Sequence, residues 1–257
     1  MALSRLQEDV ARIILAAANG RLSLAGGAAM IALGMIERET DDLDAFGKLS
    51  VAEYDAILGR VKDALSRAGY NVMEVGRAGP TYRRLSVSRT PSGRSVEVDV
   101  AADHIHWSPA QSYVGQTVSR AELAANKIIA AYYRNEPRDI DDIAKLIPEF
   151  GIERMLTDAD AKSPSPIDRE LFADNVRMTL RLNAAPSRWP DPASAVSVIT
   201  YIGRVLDALS AGLPIPSDGN PYAASSARTD SVRRCGHWLP RANRRCELRL
   251  GHAGQHR

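Results

Sequence analysis

Arg38-Glu39-Thr40-Asp41-Asp42-Leu43-Asp44-Ala45-Phe46 is the stretch from which the fold of this chain can be read. From Asp42 to Phe46 polar and apolar residues alternate, the two-residue period of a half-buried strand. Leu43 then points into a core. Asp42 and Asp44 share the opposite face, and Arg38 and Thr40 continue it. The rise of an extended chain sets the two carboxylates about 7 Å apart. At that spacing they can hold a hard cation such as Mg²⁺, which takes oxygen ligands and shares them with phosphates. An acidic pair at the end of a surface strand is also common without any metal, so the surrounding sequence has to decide.

On the N-terminal side, residues 3–18 have helical periodicity, with Leu6, Val10, Ile13 and Ile14 on one face, and Asn19-Gly20 stops the helix. Leu22-Ser23-Leu24-Ala25 reads as a short strand, Gly26-Gly27 as a turn, and residues 28–35 as a short helix. Backbone N–H groups at such a helix start can face phosphates. On the C-terminal side, residues 51–68 form an amphipathic helix. Three strand-like runs follow at 70–75, 82–88 and 94–100, and Thr90-Pro91-Ser92-Gly93 makes a hairpin turn between the last two. Within the third run, Val96, Val98 and Val100 bury one face while Glu97 and Asp99 share the other. Asp99 is thereby a candidate third carboxylate of a two-metal site, where ions bridge a triphosphate and ease ionisation of an attacking hydroxyl. The plain alternative is an exposed strand acid.

Beyond residue 119 the pattern is helical, over 119–134, 137–147, 168–183 and 192–211. Strands mixed with helices, followed by helices alone, predict an α/β (α+β) core domain at 1–115 with a mixed sheet and a helical domain at 119–213. Residues 214–231 read as a linker and 232–257 as a separate tail. Lys127 and Arg134 fall on one helical face, and Pro137 suits the first turn of the next helix, where Asp139 and Asp142 lie beside the inward Ile140, Ile143 and Ile147. Two readings stand. In one, Lys127 meets a phosphate as a point charge and an aspartate orients it or Arg134. In the other, the helices carry ordinary exposed ion pairs worth about 0–1 kcal/mol each. Trp189, among prolines, reads as a packing anchor.

The 257 residues are 45% hydrophobic and 25% charged, enough for a buried core and against global disorder. The net charge of +2 is unevenly spread: residues 228–257 hold eight arginines and two acids, and the rest is mildly acidic. The basic segment is therefore the part suited to a polyanion. No apolar run is long enough to cross a membrane, and Glu8 and Asp9 stand where a signal peptide needs positive charge, so the chain is expected in the cytoplasm, without a membrane partner. Both cysteines lie in the tail, where Cys235, Cys246, His252 and His256 have the spacing C-x10-C-x5-H-x3-H. Two thiolates and two imidazoles make a chemically complete set for structural Zn²⁺, although ten residues between cysteines is long for such a site. Free thiols and a disulfide are the alternatives. Arg228, Arg233, Arg234, Arg241, Arg244, Arg245 and Arg249 would present charge to RNA phosphates.

The sequence Gly26-Gly27-Ala28-Ala29-Met30, then Gly34, then Arg38-x-Thr40-x-Asp42-Leu43-Asp44-x-Phe46, and finally Lys127, Arg134 and Arg138-Asp139-x-x-Asp142, resembles the AbiEii-type nucleotidyltransferase toxins. That family belongs to the DNA polymerase β-like nucleotidyltransferase superfamily. The resemblance spans roughly residues 20–147. It implies a minimal nucleotidyltransferase core with a helical domain behind it, and the toxin role of a toxin–antitoxin or abortive-infection pair. It also implies transfer of NMP from an NTP to the 3′ end of tRNA, and a cognate antitoxin as partner. By the match, Asp42, Asp44 and Asp99 bind Mg²⁺, Lys127 contacts the nucleotide phosphates, and Gly26, Gly27, Arg38, Thr40, Arg134, Asp139 and Asp142 complete the nucleotide site. Alternative outcomes are a protein or small-molecule acceptor, or a non-catalytic nucleotide- or RNA-binding module. One position departs from the pattern: Ala28 stands where the family usually has Thr or Ser. A lost hydroxyl–phosphate hydrogen bond of roughly 1.5–3 kcal/mol would weaken turnover without abolishing it.

Overall fold

Two serines start the helices that frame the first half of the chain. Ser4 caps α1 (Arg5–Ala18) and Ser50 caps α3 (Val51–Arg67), each closing a capping box with the Gln7 or Glu53 side chain. The Ser50 hydrogen bonds, backbone first, and the Arg21 guanidinium hold the exposed Glu53 carboxyl at about 2. Val10, Ala11 and Ile14 of α1 are buried, as are Tyr54, Ile57, Val61 and Leu65 of α3. The two helices pack against each other, and the Tyr54 hydroxyl donates to the Val100 carbonyl at 3.0 Å, tying α3 to the sheet.

The computed structural model describes residues 3–90, 93–134 and 136–223, together with the two-residue strands at 238–239 and 244–245. Between the framing helices lie β1 (Ser23–Ala25), α2 (Gly26–Ala32) and β2 (Asp42–Gly47); after them come β3 (Asn71–Gly79), β4 (Tyr82–Ser88), β5 (Ser95–Ala102), β6 (Ala110–Ser112) and β7 (Gly115–Thr117). They form one mixed sheet in the order β3-β4-β5-β2-β1-β7-β6. The β2–β5 and β1–β7 pairs are parallel and the other pairs antiparallel. The sheet core is Leu24, Leu43, Leu85, Val87, Val96, Val98 and Val100. The α/β class and mixed sheet expected from the sequence are present. Two differences matter: Gly26-Gly27 is not a free-standing turn but the first two residues of α2, and β6 and β7 are additional strands of three residues each.

Residues up to Leu123 belong to one compact unit, and a second begins at Ala124, within α4 (Arg120–Tyr133). The second unit continues with α5 (Pro137–Phe150), α6 (Ile152–Lys162), α7 (Arg169–Leu182) and α8 (Ala195–Ala211). Helix α5 runs three residues past the expected stop, straight through Pro148, and ends at Gly151, whose φ of 72° few other residues adopt. Pro148 has no N–H, so the Ala144 carbonyl lacks its usual helical donor. The Asn220 side-chain amide donates to that carbonyl instead, at 2.9 Å, from a buried position. Residues 214–223, expected as the first part of a linker, are thus held on the helices. The Tyr222 hydroxyl adds a 2.6 Å hydrogen bond to Asp141, whose other oxygen pairs with Lys145 at 2.6 Å. Trp189 is buried, as expected of a packing anchor, and its indole N–H donates to the Asn183 carbonyl at 2.7 Å. Among the described residues no helix is long and apolar enough to cross a membrane.

Candidate functional site

Strand register sets the acidic residues of β2 beside those of β5: Asp42 lies opposite Glu97, and Asp44 opposite Asp99. Alternation along both strands puts all four carboxylates on one face, while Leu43, Val96, Val98 and Val100 are buried on the other. Neighbouring strands are about 4.8 Å apart, so Asp44 and Asp99 are closer across the ladder than Asp42 and Asp44 are along it. The expected trio therefore shares the central parallel pair of the sheet.

Gly26 and Gly27 come to the same place. Gly26 has φ +57°, and a Cβ on it would lie 1.8 Å from Asp44 Oδ2. A Cβ on Gly27 would lie 3.0 Å from Thr40 Oγ1 and 3.3 Å from Arg38 Nη2. Backbone is pressed against the Asp44, Thr40 and Arg38 side chains here, and at Gly26 a larger residue would both strain a positive φ and displace the Asp44 carboxylate. Arg38 and Thr40 lie just before β2, in non-strand backbone, so the strand is shorter than the alternation suggests. The Thr40 hydroxyl donates to Asp42 Oδ1 at 3.0 Å, and the Gln7 side chain donates to the Thr40 carbonyl at 2.6 Å, fixing this segment to α1.

Strand β4 contributes two residues that sequence reasoning misses. Arg84 lies opposite Asp99 in the ladder. Its Nε and Nη2 each meet an Asp99 oxygen at 2.7 Å, and its Nη1 reaches Glu97 at 3.1 Å. The Tyr82 hydroxyl, two residues earlier on the same face, donates to Asp99 Oδ1 at 2.9 Å. The hydrogen bonds to Asp99 push Arg84 further above its ordinary pKa, and burial followed by the Asp99 hydrogen bond raises that of Tyr82. A signal for Arg84 exists: a hairpin centred on the turn at residues 90–93 pairs position 84 with 99.

Asp42, Asp44 and Asp99 offer oxygen donors only, on a partly exposed face, with glycine backbone drawn against one of them. That donor chemistry fits a hard divalent cation carrying phosphate. Among the described residues, no three His, Cys, Asp or Glu side chains are already gathered as an ion cage. Asp99 turns both oxygens to Arg84 instead.

In the second unit, Lys127, Arg134, Asp139 and Asp142 are brought together, but not as exposed ion pairs. Asp139 and Asp142 are fully buried, and the Lys127 side chain is 8% exposed. The Lys127 ammonium lies 3.1 Å from Asp139 Oδ1 and 2.8 Å from Asp142 Oδ2. Arg134 grips Asp139 with two hydrogen bonds of 2.6 and 3.0 Å. Burial pushes the Asp139 carboxyl up, but the Arg134 hydrogen bonds and the Lys127 charge outweigh it and hold it below the usual carboxylate range. The reading of exposed pairs worth little is corrected by this burial, and Lys127 stands as the centre of a charged knot instead of an open point charge. Cys235, Cys246, His252 and His256 lie outside the described residues.

A mixed sheet with this acidic face, together with the family match across it, defines a nucleotidyltransferase. Residues 9–190 match the family described as nucleotidyl transferase AbiEii toxin of type IV toxin–antitoxin systems, and the chain belongs to that family. Among solved structures it is similar to JHP933 from Helicobacter pylori, at 15% identity and a TM-score of 0.48, over 90% of this chain and 99% of that one. A provisionally assigned nucleotidyltransferase from H. pylori gives 17% identity and a TM-score of 0.47, over 90% and 95%. Terminal uridylyl transferase 4 from Trypanosoma brucei, with bound UTP and UMP, gives 15% and 0.30, over 69% and 53%. A comparison with curated proteins gives no match. The family match, not these likenesses, assigns the chain.

Proposed function

We propose that this chain transfers a nucleoside monophosphate from an NTP to an acceptor hydroxyl with the help of Mg²⁺, that the acceptor is the 3′ end of a tRNA, and that the transfer, carried out in the cytoplasm, is the toxic act a cognate antitoxin counters. The observation that carries the reading is the Asp44–Asp99 register pair, with Gly26 backbone drawn against the Asp44 carboxylate. In this reading Asp42, Asp44 and Asp99 hold the ions. A bound divalent ion neutralises triphosphate charge and lowers the cost of ionising the attacking hydroxyl. The hydroxyl attacks the α-phosphorus in line, the new ester bond forms, and pyrophosphate leaves. Asp99 helps to activate the hydroxyl. The Gly26-Gly27 backbone, Arg38 and Thr40 position the nucleotide beside Asp44.

The expected phosphate contact of Lys127 enters with one amendment. Its ammonium is held by Asp139 and Asp142, so meeting an anion exchanges a carboxylate partner for a phosphate. Arg134 then keeps Asp139 compensated. Incubating the full chain with each labelled NTP, Mg²⁺ and total cellular RNA tests the proposal. Label from one NTP in the tRNA fraction is the expected result. Label that is absent from RNA, or unchanged in Asp44→Ala, would refute it.

A further inference from the structure

The neutralisation of Asp99 has a geometry of its own. Both of its oxygens are taken by the fork of Arg84, the arrangement in which a guanidinium binds a carboxylate best. Tyr82 adds a third donor to the same carboxylate. Asp44 faces Asp99 directly across the ladder, and like charges in that relation are destabilising. Arg84 removes that repulsion with its own positive charge. Its side chain is 37% exposed, and its third nitrogen already rests on the more exposed Glu97. A guanidinium that left Asp99 would therefore keep an anionic partner on the same sheet face.

We propose that Arg84 is a positioning residue that occupies Asp99 in place of a divalent ion, so that an ion gains Asp99 only by displacing the guanidinium toward Glu97. This rests on the metal-dependent reading above and adds a competitor to it. The acidic face is held together without metal by a residue from β4, and ion affinity is lowered by the strength of that pair. Arg84 and the ion are alternative partners for one carboxylate, so removing Arg84 has effects of opposite sign: tighter ion binding and a less stable ion-free protein.

The test is a Mn²⁺ titration of the full chain, with free ion read by electron paramagnetic resonance, alongside melting in chelator. Arg84→Gln is expected to tighten Mn²⁺ by about tenfold, the scale of charge-assisted hydrogen bonds to an ionised group. It is also expected to lower the melting temperature in chelator. Tyr82→Phe moves both in the same directions by less. Arg83→Gln removes an equal charge from the neighbouring position, whose guanidinium instead bonds the Gly79 and Tyr82 carbonyls, and leaves Mn²⁺ affinity unchanged. Equal shifts in Arg84→Gln and Arg83→Gln reduce the effect to general charge and overturn the proposal. Unaltered affinity in Arg84→Gln overturns it while leaving the metal reading standing. If neither wild type nor any variant binds Mn²⁺, the proposal and the metal reading fall together.

Discussion

Replacing Lys127 by Met removes one charge from the buried knot while keeping a flexible apolar stem in its place. In the wild type, the ammonium lies 3.1 and 2.8 Å from two fully buried carboxylates. Breaking a buried ion pair from one side costs roughly 3–5 kcal/mol, because a charge remains in a medium that solvates it poorly. Asp139 keeps its two bonds to Arg134, so the low end, about 3 kcal/mol, is expected at pH 7. For a chain of this length melting as one transition, that lowers the melting temperature by roughly 6–12 °C, and by more if the helical unit melts alone. The pH dependence has a definite sign. The folded Asp139 carboxyl lies below its unfolded value of about 3.9, so its pairing stabilises the fold above that pH and is lost as pH falls through the folded value. The gap between Lys127→Met and wild type should stay open from pH 5 to 8 and narrow below about 4. Calorimetry across that range reads both effects. A variant that melts within about 1 °C of wild type at pH 7 would show that the burial does not carry the energetics assigned to it.

Further outcomes are expected in the first unit and in the tail. Asp44→Ala should lower NMP transfer at least about 10²-fold and relieve growth inhibition without unfolding the sheet, measured by label incorporation and circular dichroism; retained transfer would remove Asp44 from the site. Gly26→Ala forces a Cβ into Asp44 at a φ of +57°, so it should cost more than about 1 kcal/mol in urea unfolding and depress transfer as well. Ala28→Thr enlarges a fully buried position of α2, so it should cost about 1–3 kcal/mol in the same measurement. Elemental analysis of protein purified under reducing conditions should find about one zinc per chain, and deletion after residue 231 should weaken acceptor binding while sparing the chemistry; absence of metal, or unaltered acceptor affinity, would remove the corresponding tail role.

What the sequence discloses and what it hides divide along a physical line. Period-two alternation in 42–46 and 95–100 gives both strands their correct faces, because one side of each strand is buried and the pattern records it. The three-residue strands β6 and β7 are too short to show a period at all. The helical pattern over 137–147 does not show Asn220, which supplies the Ala144 carbonyl with a substitute donor from 76 residues away and lets the helix run on through Pro148. The burial of Lys127 is equally hidden: a lysine at helical spacing from an arginine looks solvated until its carboxylates are seen to be inside. Arg84 is the intermediate case, since the turn that fixes the hairpin also fixes its partner, but nothing in residues 82–88 alone marks one arginine above another.

The Asn220–Ala144 bond also bears on the order in which the chain is made. Helix α5 can form as soon as it leaves the ribosome, yet the carbonyl that Pro148 orphans stays without its Asn220 donor until about 70 further residues have been added. The carbonyl in α5 is therefore satisfied late, by a segment beyond α8. A nonsense codon directly after α8 would release a chain with α1 to α8 encoded and this closure missing. One placed after residue 223 would keep the closure and delete only the arginine-rich tail.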